Sequence, residues 1–366
     1  MKFIINRELL LPALQQIVGV IEKRQTMPVL SNVLMQVSDQ SVTLTGSDLE
    51  IQMVAKLAIQ PESVGDITVP ARKFLDICRL LPSEAKIKFE LKEDKLRLVS
   101  GRSRFSLSTI PADNYPEFVE SDYPHQFSIT TEQFKKALAK TAFCMASQDV
   151  RYYLNGLLLN ISNSKIKLVG SDGHRLSFFQ DSLETATGYE ERIIIPRKGV
   201  LELSRLLSDP DSPLDIYFSA NNIKVVYQNM VFFAKLVDSK YPDFSRVFNQ
   251  AFNSPVIIQT QLLKEALTRV SVLANEKFKG ITLNINENQM KITAHNPEHD
   301  EAEEELLMQY PGPALSVSFN SQYLLEAVSN LDSEMMSLTI AANNSCCFIE
   351  EIENPAYKFI VMSMQL

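Results

Sequence analysis

The chain has 366 residues, of which 45% are hydrophobic and 22% are charged, and only 11 are glycine. This length is too great for one ordinary core, so two or three domains are expected, and the composition excludes a disordered or collagen-like chain. The net charge of −8, taken alone, argues against a nucleic-acid partner.

The start of the sequence and its hydrophobic runs bear on localisation. Asn6, Arg7 and Glu8 interrupt the stretch in which a secretory signal needs unbroken apolar residues, and no run of about 18 apolar residues occurs. We therefore expect a cytoplasmic protein. Its four cysteines lack the CxxC pairs of zinc sites and are expected to be reduced and mostly buried. They are Cys78, Cys144, Cys346 and Cys347.

Six segments in chain order predict amphipathic helices. In 74–81, apolar residues recur on one helical face and the charged residues of the segment fall on the other. Thr130 and Gln133 form a capping box ahead of the third helix. The six segments are 7–24, 70–81, 131–141, 196–207, 260–270 and 320–332.

Between these helices, apolar runs separated in pairs by polar turn residues predict β-strands. They include 41–45, 86–91, 95–99, 165–169, 223–227 and 289–293. Each third of the chain therefore has the order strand, helix, strands, followed by the same order again. This pattern predicts an α+β fold built of doubled units rather than a parallel doubly wound sheet.

The sequence also repeats itself at a shift of about 125 residues. LTGSD at 44–48 recurs as LVGSD at 168–172 and weakly as ITAHN at 292–296. Boundaries are expected near the related motifs NYPEF at 114–118 and KYPDF at 240–244. We predict three similar domains, at 1–120, 121–250 and 251–366.

Positive charge is concentrated in the six helical segments. Together they carry +6, so the remainder of the chain carries −14. On any single helix, solvent exposure of the charged face explains such cations equally well. If equivalent helices line one concave surface, their cations form a stripe that contacts phosphates without reading sequence, and an acidic exterior repels DNA.

Two patterns resemble catalytic motifs but predict no catalytic residue. HNPEH at 295–299 matches a zinc-protease pattern, yet Pro297 prevents the helical turn that its two histidines need. Ser171, Asp172 and His174 are too close in sequence for a triad, and no phosphate-binding GxxxxGK[ST] motif occurs. We expect no metal and no cofactor. A hydrolase and a repeat-built interaction scaffold without DNA encirclement remain the alternative functions.

Several longer segments resemble the bacterial DNA polymerase III beta subunits, the beta sliding clamps, and the resemblance covers the whole chain. They are VPARKFLDICRLLP (69–82), SGRSRFSLSTIPADNYP (100–116), QDVRYYLNG (148–156), SDGHRLS (171–177), IPRKGVLEL (195–203) and NEKFKGI (275–281). The resemblance implies the DNA-clamp fold, in which helices line a hole and antiparallel sheets lie outside. It further implies a non-catalytic head-to-tail homodimeric ring around duplex DNA that confers processivity on DNA polymerase III.

The resemblance also implies three sets of site residues. The DNA contacts are Arg24, Arg72, Lys73, Gln148, Tyr152, Tyr153, Arg197 and Lys198. The peptide-binding pocket comprises Tyr153, Leu154, Ser171, Gly173, His174, Arg175, Leu176, Pro242, Arg246, Val247, Tyr323, Val361, Met362 and Met364. The dimer interface comprises Arg102, Arg104, Phe105, Leu107, Val272, Leu273, Glu298, Asp300, Glu301, Glu303 and Glu304.

The implied partners are the replicative polymerase subunit, the clamp loader, translesion polymerases and repair proteins, each binding by a short peptide motif. This chain departs from the family at its end, where VMSMQL stands in place of VMPMRL. Ser363 and Gln365 thus replace a proline and a cation, which we expect to change peptide preference modestly. Lys23 and Gln25 stand where glycine and proline are common, so the first DNA-contact loop differs in detail.

Overall fold

The computed structural model describes residues 1–22, 27–116 and 122–365. Its helices are α1 (Arg7–Val20), α2 (Ala71–Leu80), α3 (Thr131–Thr141), α4 (Arg197–Leu206), α5 (Ser245–Phe248), α6 (Thr260–Val270) and α7 (Ser321–Ser329). The six predicted helices are confirmed, although α7 ends before Asp332. The short helix α5 was not predicted because four residues carry too little periodicity.

The strands fall into three sets that follow the three sequence repeats. The first set is β1 (Lys2–Asn6), β2 (Asn32–Ser38), β3 (Ser41–Ser47), β4 (Ile51–Ala58), β5 (Gly65–Pro70), β6 (Lys86–Lys92), β7 (Lys95–Ser100), β8 (Ser103–Ser108) and β9 (Ile110–Pro111). The second is β10 (His125–Thr130), β11 (Gly156–Ser162), β12 (Lys165–Ser171), β13 (Arg175–Ser182), β14 (Glu190–Pro196), β15 (Pro213–Phe218), β16 (Asn222–Tyr227) and β17 (Met230–Lys235). The third is β18 (Val256–Gln259), β19 (Gly280–Asn286), β20 (Gln289–His295), β21 (Glu301–Leu307), β22 (Leu315–Asn320), β23 (Met335–Ile340), β24 (Cys346–Glu351) and β25 (Tyr357–Met362). All the strands predicted by number are confirmed.

The chain forms two compact units. The first unit comprises Met1–Lys135, Leu183–Thr187 and Ile195–Asp238. It holds a four-stranded sheet, sheet A, in the order β1-β6-β7-β8, and a nine-stranded sheet, sheet B, in the order β10-β15-β16-β17-β4-β3-β2-β5-β9. Sheet B joins the first and second repeats through the antiparallel pairing of β17 with β4.

The second unit comprises Lys136–Ser182, Gly188–Ile194 and Ser239–Leu366. It holds sheet C, in the order β14-β11-β12-β13-β25-β24-β23-β18, and the four-stranded sheet D, in the order β21-β20-β19-β22. Sheet C joins the second and third repeats through the antiparallel pairing of β13 with β25. The same kind of junction therefore occurs once in each unit.

Alternation along the strands sets which side of each sheet is buried. In β6, Ile87 and Phe89 are fully buried, whereas Lys86 on the other side is exposed. Phe89 stacks on Phe3 at a ring separation of 4.8 Å and meets Phe74 of α2 edge-on at 5.8 Å. The helices thus cover the apolar side of the sheet, and the charged side faces solvent.

Two local signals in the sequence have a clear physical basis. The predicted cap of α3 is observed, because the backbone N–H of Gln133 donates to Thr130 Oγ1 at 3.2 Å and the hydroxyl of Thr130 in turn contacts Gln133 Oε1 at 3.1 Å. The glycine of the repeated LTGSD motif permits a close helix–strand contact: a Cβ on Gly46 would lie 2.8 Å from the carbonyl oxygen of Ile17 in α1. Gly170 would likewise collide with the carbonyl oxygen of Thr141 in α3.

Candidate functional site

The residues assigned to the peptide-binding pocket lie in the second unit, around the end of β25. In sheet C, Arg175 is opposite Val361, and the N–H of Met362 donates to the carbonyl oxygen of His174 at 2.8 Å. Sequence segments nearly 190 residues apart are thus held side by side by backbone pairing. The pocket therefore depends on the β13–β25 junction.

The segment Ser171 to Arg175 forms a tight turn, not a catalytic triad. Asp172 Oδ1 accepts the N–H groups of His174 and Arg175 at 2.9 and 3.0 Å, and Ser171 Oγ donates to the carbonyl oxygen of Arg175 at 2.7 Å. Gly173 has φ +89°, and a Cβ there would lie 2.7 Å from the guanidinium of Arg151. The side chains of Ser171 and Asp172 thus stabilise the turn.

Arg175 is the most constrained cation of the pocket, since only 10% of its side chain is exposed. It donates to Asp172 Oδ2 at 3.0 Å and to the carbonyl oxygen of Phe143 at 3.0 Å, and it also pairs with Glu326. Its guanidinium carbon lies 4.4 Å from the ring centre of Tyr323. A cation neutralised in this way supports the pocket wall and positions Tyr323.

The apolar floor and the exposed rim of the pocket come from different elements. Leu154, Leu176 and Val361 are buried, whereas Met362 keeps 39% of its surface exposed. The rim residues Pro242 and Arg246 are exposed, Val247 and Tyr323 are half-buried, and the half-buried Tyr153 meets Tyr241 edge-on at 6.0 Å. Exposed methionine beside a buried aliphatic floor suits an apolar ligand side chain.

Helix α5, which carries Arg246 and Val247, is anchored by aromatic residues that the sequence reasoning missed. Phe178 of β13 lies 6.0 Å from Phe244 and 5.8 Å from Phe248 between ring centres. The phenylalanine of the KYPDF motif was the available signal, but it was interpreted only as a domain boundary. The cluster therefore holds α5, with Arg246 and Val247, against β13.

The end of the chain is held by backbone hydrogen bonds on both sides. The N–H of Met364 donates to the carbonyl oxygen of Ser318 in sheet D, and the N–H of Ser363 donates to that of Ser345, each at 2.9 Å. Proline, which the family ending VMPMRL implies at position 363, has no N–H to donate. The substitution to serine therefore adds a contact that anchors the tail.

The cations assigned to DNA contact begin two equivalent helices of the first unit. Arg72 and Lys73 are in the first turn of α2, and Arg197 and Lys198 are in the first turn of α4. Neither first turn contains an acidic residue, although the helix dipole favours one there. Cations at a helix N-terminus strengthen its attraction for phosphate.

The remaining residues of this set differ in environment. Arg24 lies outside the described residues. Lys198 pairs with Glu22 at 2.9 Å and with Asp48, so its charge is partly offset. In the second unit, Gln148 is exposed with φ +59°, and Tyr152 is 75% exposed. Tyr153, which is also assigned to the peptide-binding pocket, is half-buried.

The residues assigned to the dimer interface lie in or just before the edge strands β8 and β21, except Val272 and Leu273, which directly follow α6. Arg102 and Arg104 are exposed, Phe105 is half-buried and Leu107 is buried. Val272 is 77% exposed beside the half-buried Leu273.

The acidic stretch divides into paired and unpaired carboxylates. Glu303 pairs with Lys291 at 2.7 Å and Glu304 with Arg269 at 2.5 Å, and Arg269 holds the pKa of Glu304 below its ordinary value. Glu298, Asp300 and Glu301 are exposed and make no ion pair with the described residues. The sequence reasoning missed two strongly exposed apolar side chains, Leu80 at the end of α2 with 87% exposure and Leu307 at the end of β21 with 81%.

The remaining features are the cysteines, the HNPEH segment, metal-binding groups and membrane-spanning helices. The four cysteines are free and buried, as expected. HNPEH begins at the end of β20 and continues as a turn, in agreement with the rejection of a zinc-protease motif. Within residues 1–22, 27–116 and 122–365, no group of acidic, histidine or cysteine side chains forms a metal site, and no helix is long and apolar enough to span a membrane.

Comparison with known proteins agrees with this architecture. Residues 1–119, 128–243 and 245–365 match the N-terminal, central and C-terminal domains of the DNA polymerase III beta subunit. The chain is 42% identical over 367 residues to the beta sliding clamp of Pseudomonas putida and 41% identical to that of Escherichia coli K12, with both chains fully covered in each case.

Solved structures give the same result. The DNA polymerase III subunit beta of Pseudomonas aeruginosa matches with a TM-score of 0.97 at 40% identity, again over the whole of both chains. A sliding clamp from the same organism bound to griselimycin matches with a TM-score of 0.96. The three repeats, the fold and these matches show that the chain belongs to the DNA polymerase III beta subunit family, the beta sliding clamps.

Proposed function

We propose that two copies of this chain close head to tail into a ring around duplex DNA, as a non-catalytic clamp that confers processivity on DNA polymerase III. The observation that carries the proposal is the pairing of the last strands of the six half-units. These strands are β4, β8, β13, β17, β21 and β25. Within the chain, β4 pairs with β17 and β13 with β25, and both pairs are antiparallel.

The other two of these six strands, β8 and β21, each lie at the edge of a sheet. Among the described residues, each has one edge without a partner strand. By the repeat, they are the equivalents of the strands that pair in sheets B and C. Pairing β8 of one copy with β21 of another copy completes the pattern and removes both exposed edges. Because β8 belongs to the first repeat and β21 to the third, such a contact is head to tail and closes when two copies supply both strands.

The side chains near these edges support the pairing. In this pairing, the exposed Arg102 and Arg104 of one copy have oppositely charged counterparts on the other copy. These are the exposed Glu298, Asp300 and Glu301. Apolar surface is available on both sides, from the half-buried Phe105 of β8 and from the exposed Val272 and Leu307, the latter in β21. Covering such isolated apolar groups supplies most of the stabilisation of an interface of this kind.

Contact with DNA is proposed to be weak and independent of sequence. The first-turn cations of α2 and α4 suit phosphate oxygens, and so do Arg24, Gln148, Tyr152 and Tyr153 by resemblance. Such contacts release counterions and weaken with salt. Retention on DNA then depends on the closed ring and not on affinity.

The pocket in the second unit is proposed to bind the peptide motifs of the replicative polymerase, the clamp loader, translesion polymerases and repair proteins. Two apolar anchors, each contributing about 1.5 to 3 kcal/mol when fully buried, together with a few hydrogen bonds, give roughly micromolar affinity after ordering costs. We also propose that the protein acts in the cytoplasm, where these partners and the bacterial chromosome are expected. We also propose domain limits at 1–120, 121–250 and 251–366.

A plasmid-retention experiment tests the ring. The labelled protein is loaded onto nicked circular plasmid by a bacterial clamp loader with ATP, separated from free protein by gel filtration, and then treated with a restriction enzyme that cuts once. We expect retention on the circle and release after cutting, since a ring slides off free ends. Equal retention on both forms indicates ordinary DNA binding, and no retention on either form indicates a scaffold; either result contradicts the proposal.

A further inference from the structure

The solvent side of sheet A carries an unusual concentration of positive charge. Strand alternation and register place seven cations there, and six of them, all except Arg104 of the edge strand, are here called the cationic face. They are Lys2, Lys86, Lys88, Lys92, Lys95 and Arg97. Glu90 is the one carboxylate that the described strands of sheet A place among them. The expectation of an acidic exterior is therefore wrong for this sheet.

These cations are poorly neutralised within the chain. Lys2 pairs with Glu62, and Lys92 lies 3.6 Å from Glu90. The other four, Lys86, Lys88, Lys95 and Arg97, make no ion pair with the described residues within 4.0 Å. The cationic face is therefore open to an external anion.

In the absence of a bound anion, this arrangement of cations lowers the stability of sheet A. Lys92 and Lys95 stand directly opposite each other on neighbouring strands, where like charges destabilise a sheet. Such a face contrasts with the net charge of −8 carried by the whole chain. A binding role explains why the cations are gathered there.

The chemistry of the face favours an acidic polypeptide over nucleic acid. The register rows of sheet A place Ile4, which is 50% exposed, beside Lys88 and then Val99. Among its described residues the solvent side has no aromatic ring on which bases stack, and stacking is the main contact of single-strand binding. Glu90 and the neighbouring Glu62 repel an evenly charged phosphate backbone, whereas a peptide places its carboxylates at chosen positions.

We infer that the cationic face of sheet A docks an acidic segment of a partner protein. Its carboxylates pair with Lys88, Arg97 and their neighbours, and an apolar side chain of the segment covers Ile4. The side chains of the cationic face point out of the plane of the sheet, whereas the unpaired backbone groups of β8 lie in that plane. A segment bound to the face therefore leaves β8 free to pair. The inference therefore stands on different residues from the ring and from the pocket of the second unit.

Charge reversal on the face, matched by charge reversal elsewhere, tests the inference. The test variant is Lys88→Glu with Arg97→Glu. The control is Lys56→Glu with Lys165→Glu, which has the same change in net charge at exposed positions of sheets B and C. The probe is a short fluorescein-labelled peptide of repeating Glu-Glu-Leu, measured by fluorescence anisotropy on the full-length protein at low and at physiological salt.

We expect the test variant to weaken peptide binding about tenfold and the control to change it less than about twofold, since two attractive pairs become repulsive only in the first. The methyl resonance of Ile4 should shift on titration, and Ile4→Ala should weaken binding. Equal loss in both variants shows that only net charge matters and overturns the inference. Displacement of the peptide by oligothymidylate at lower concentration assigns the face to nucleic acid, and peptide-free self-association lost in the test variant assigns it to a second copy; each of these also overturns it.

Discussion

Sheets A and D have one topology but opposite surfaces. Each has four strands, with the last strand of its half-unit at one edge, β8 in sheet A and β21 in sheet D. The solvent side of sheet A carries seven cations and Glu90, if Arg104 of the edge strand is included with the cationic face. The solvent side of sheet D carries Lys291 against three glutamates, Glu301, Glu303 and Glu305.

The far edges of the two sheets differ as well. In sheet A, the first strand is covered by a bridge between Lys2 and Ser63, whereas in sheet D the corresponding strand is covered by Met364 of the C-terminal tail. Core positions thus preserve the repeated fold while the surfaces diverge. The divergence gives the two sheets opposite charges and brings the C-terminal tail against only one of them.

The largest expected effect comes from removing the tail on sheet D. Deletion of residues 362–366 removes both methionines and the hydrogen bonds to His174, Ser345 and Ser318. We expect affinity for a peptide with the Gln and Leu/Phe motif to fall by at least about 100-fold, because an apolar wall is lost. Isothermal titration calorimetry measures this. The dimer should persist, and unchanged peptide affinity would refute the pocket assignment.

Next in size is the apolar contact proposed between the edges. Val272→Ala with Leu273→Ala should raise the dimer dissociation constant about 30- to 100-fold, since both side chains are expected to be buried on pairing. Analytical ultracentrifugation over a dilution series gives the constant. Val64→Ala with Val150→Ala, two exposed valines away from the edges, serves as the matched control. Equal behaviour of the two variants counts against the interface.

Charge complementarity between the edges is expected to contribute less. Arg102→Glu with Arg104→Glu should weaken the dimer about tenfold at low salt and by a smaller factor at high salt. Lys88→Glu with Arg97→Glu makes the same change in charge on the same sheet, away from its edge, and should alter the constant less than about twofold. If the two variants weaken the dimer equally, the edge charges have no specific role.

The smallest effect concerns the folding of sheet A. Lys95→Gln removes the repulsion from Lys92 and should leave the free energy of unfolding unchanged or raise it by up to about 0.5 kcal/mol. Urea denaturation monitored by circular dichroism gives the sign of this change in the free energy of unfolding. A clear loss of stability would mean that the cationic face supports the fold and is not reserved for a partner.

The repeated elements could be predicted from the sequence because their signals are local. Helical periodicity in 74–81 and the Thr130–Gln133 cap each depend on a few adjacent residues. The repeat then supplied the α+β architecture, and the match to three family domains confirms it.

Other features depend on distant pairing and could not be predicted in the same way. The contact of Met362 with His174 and the burial of Arg175 between Asp172 and Glu326 require the β13–β25 junction, which no local pattern encodes. The cationic face was missed for a different reason. Counting charge outside the helices averaged sheet A with acidic loops, whereas strand alternation and register separate them.

The central claim is that β8 and β21 of two copies pair to enclose a passage for DNA. Mass measured in solution, combined with electron-microscopy class averages of the same sample, tests it most directly. We predict a particle of twice the 41.4 kDa chain mass with a central opening wide enough for a duplex. A monomer at working concentrations, or a dimer without an opening, would contradict the account.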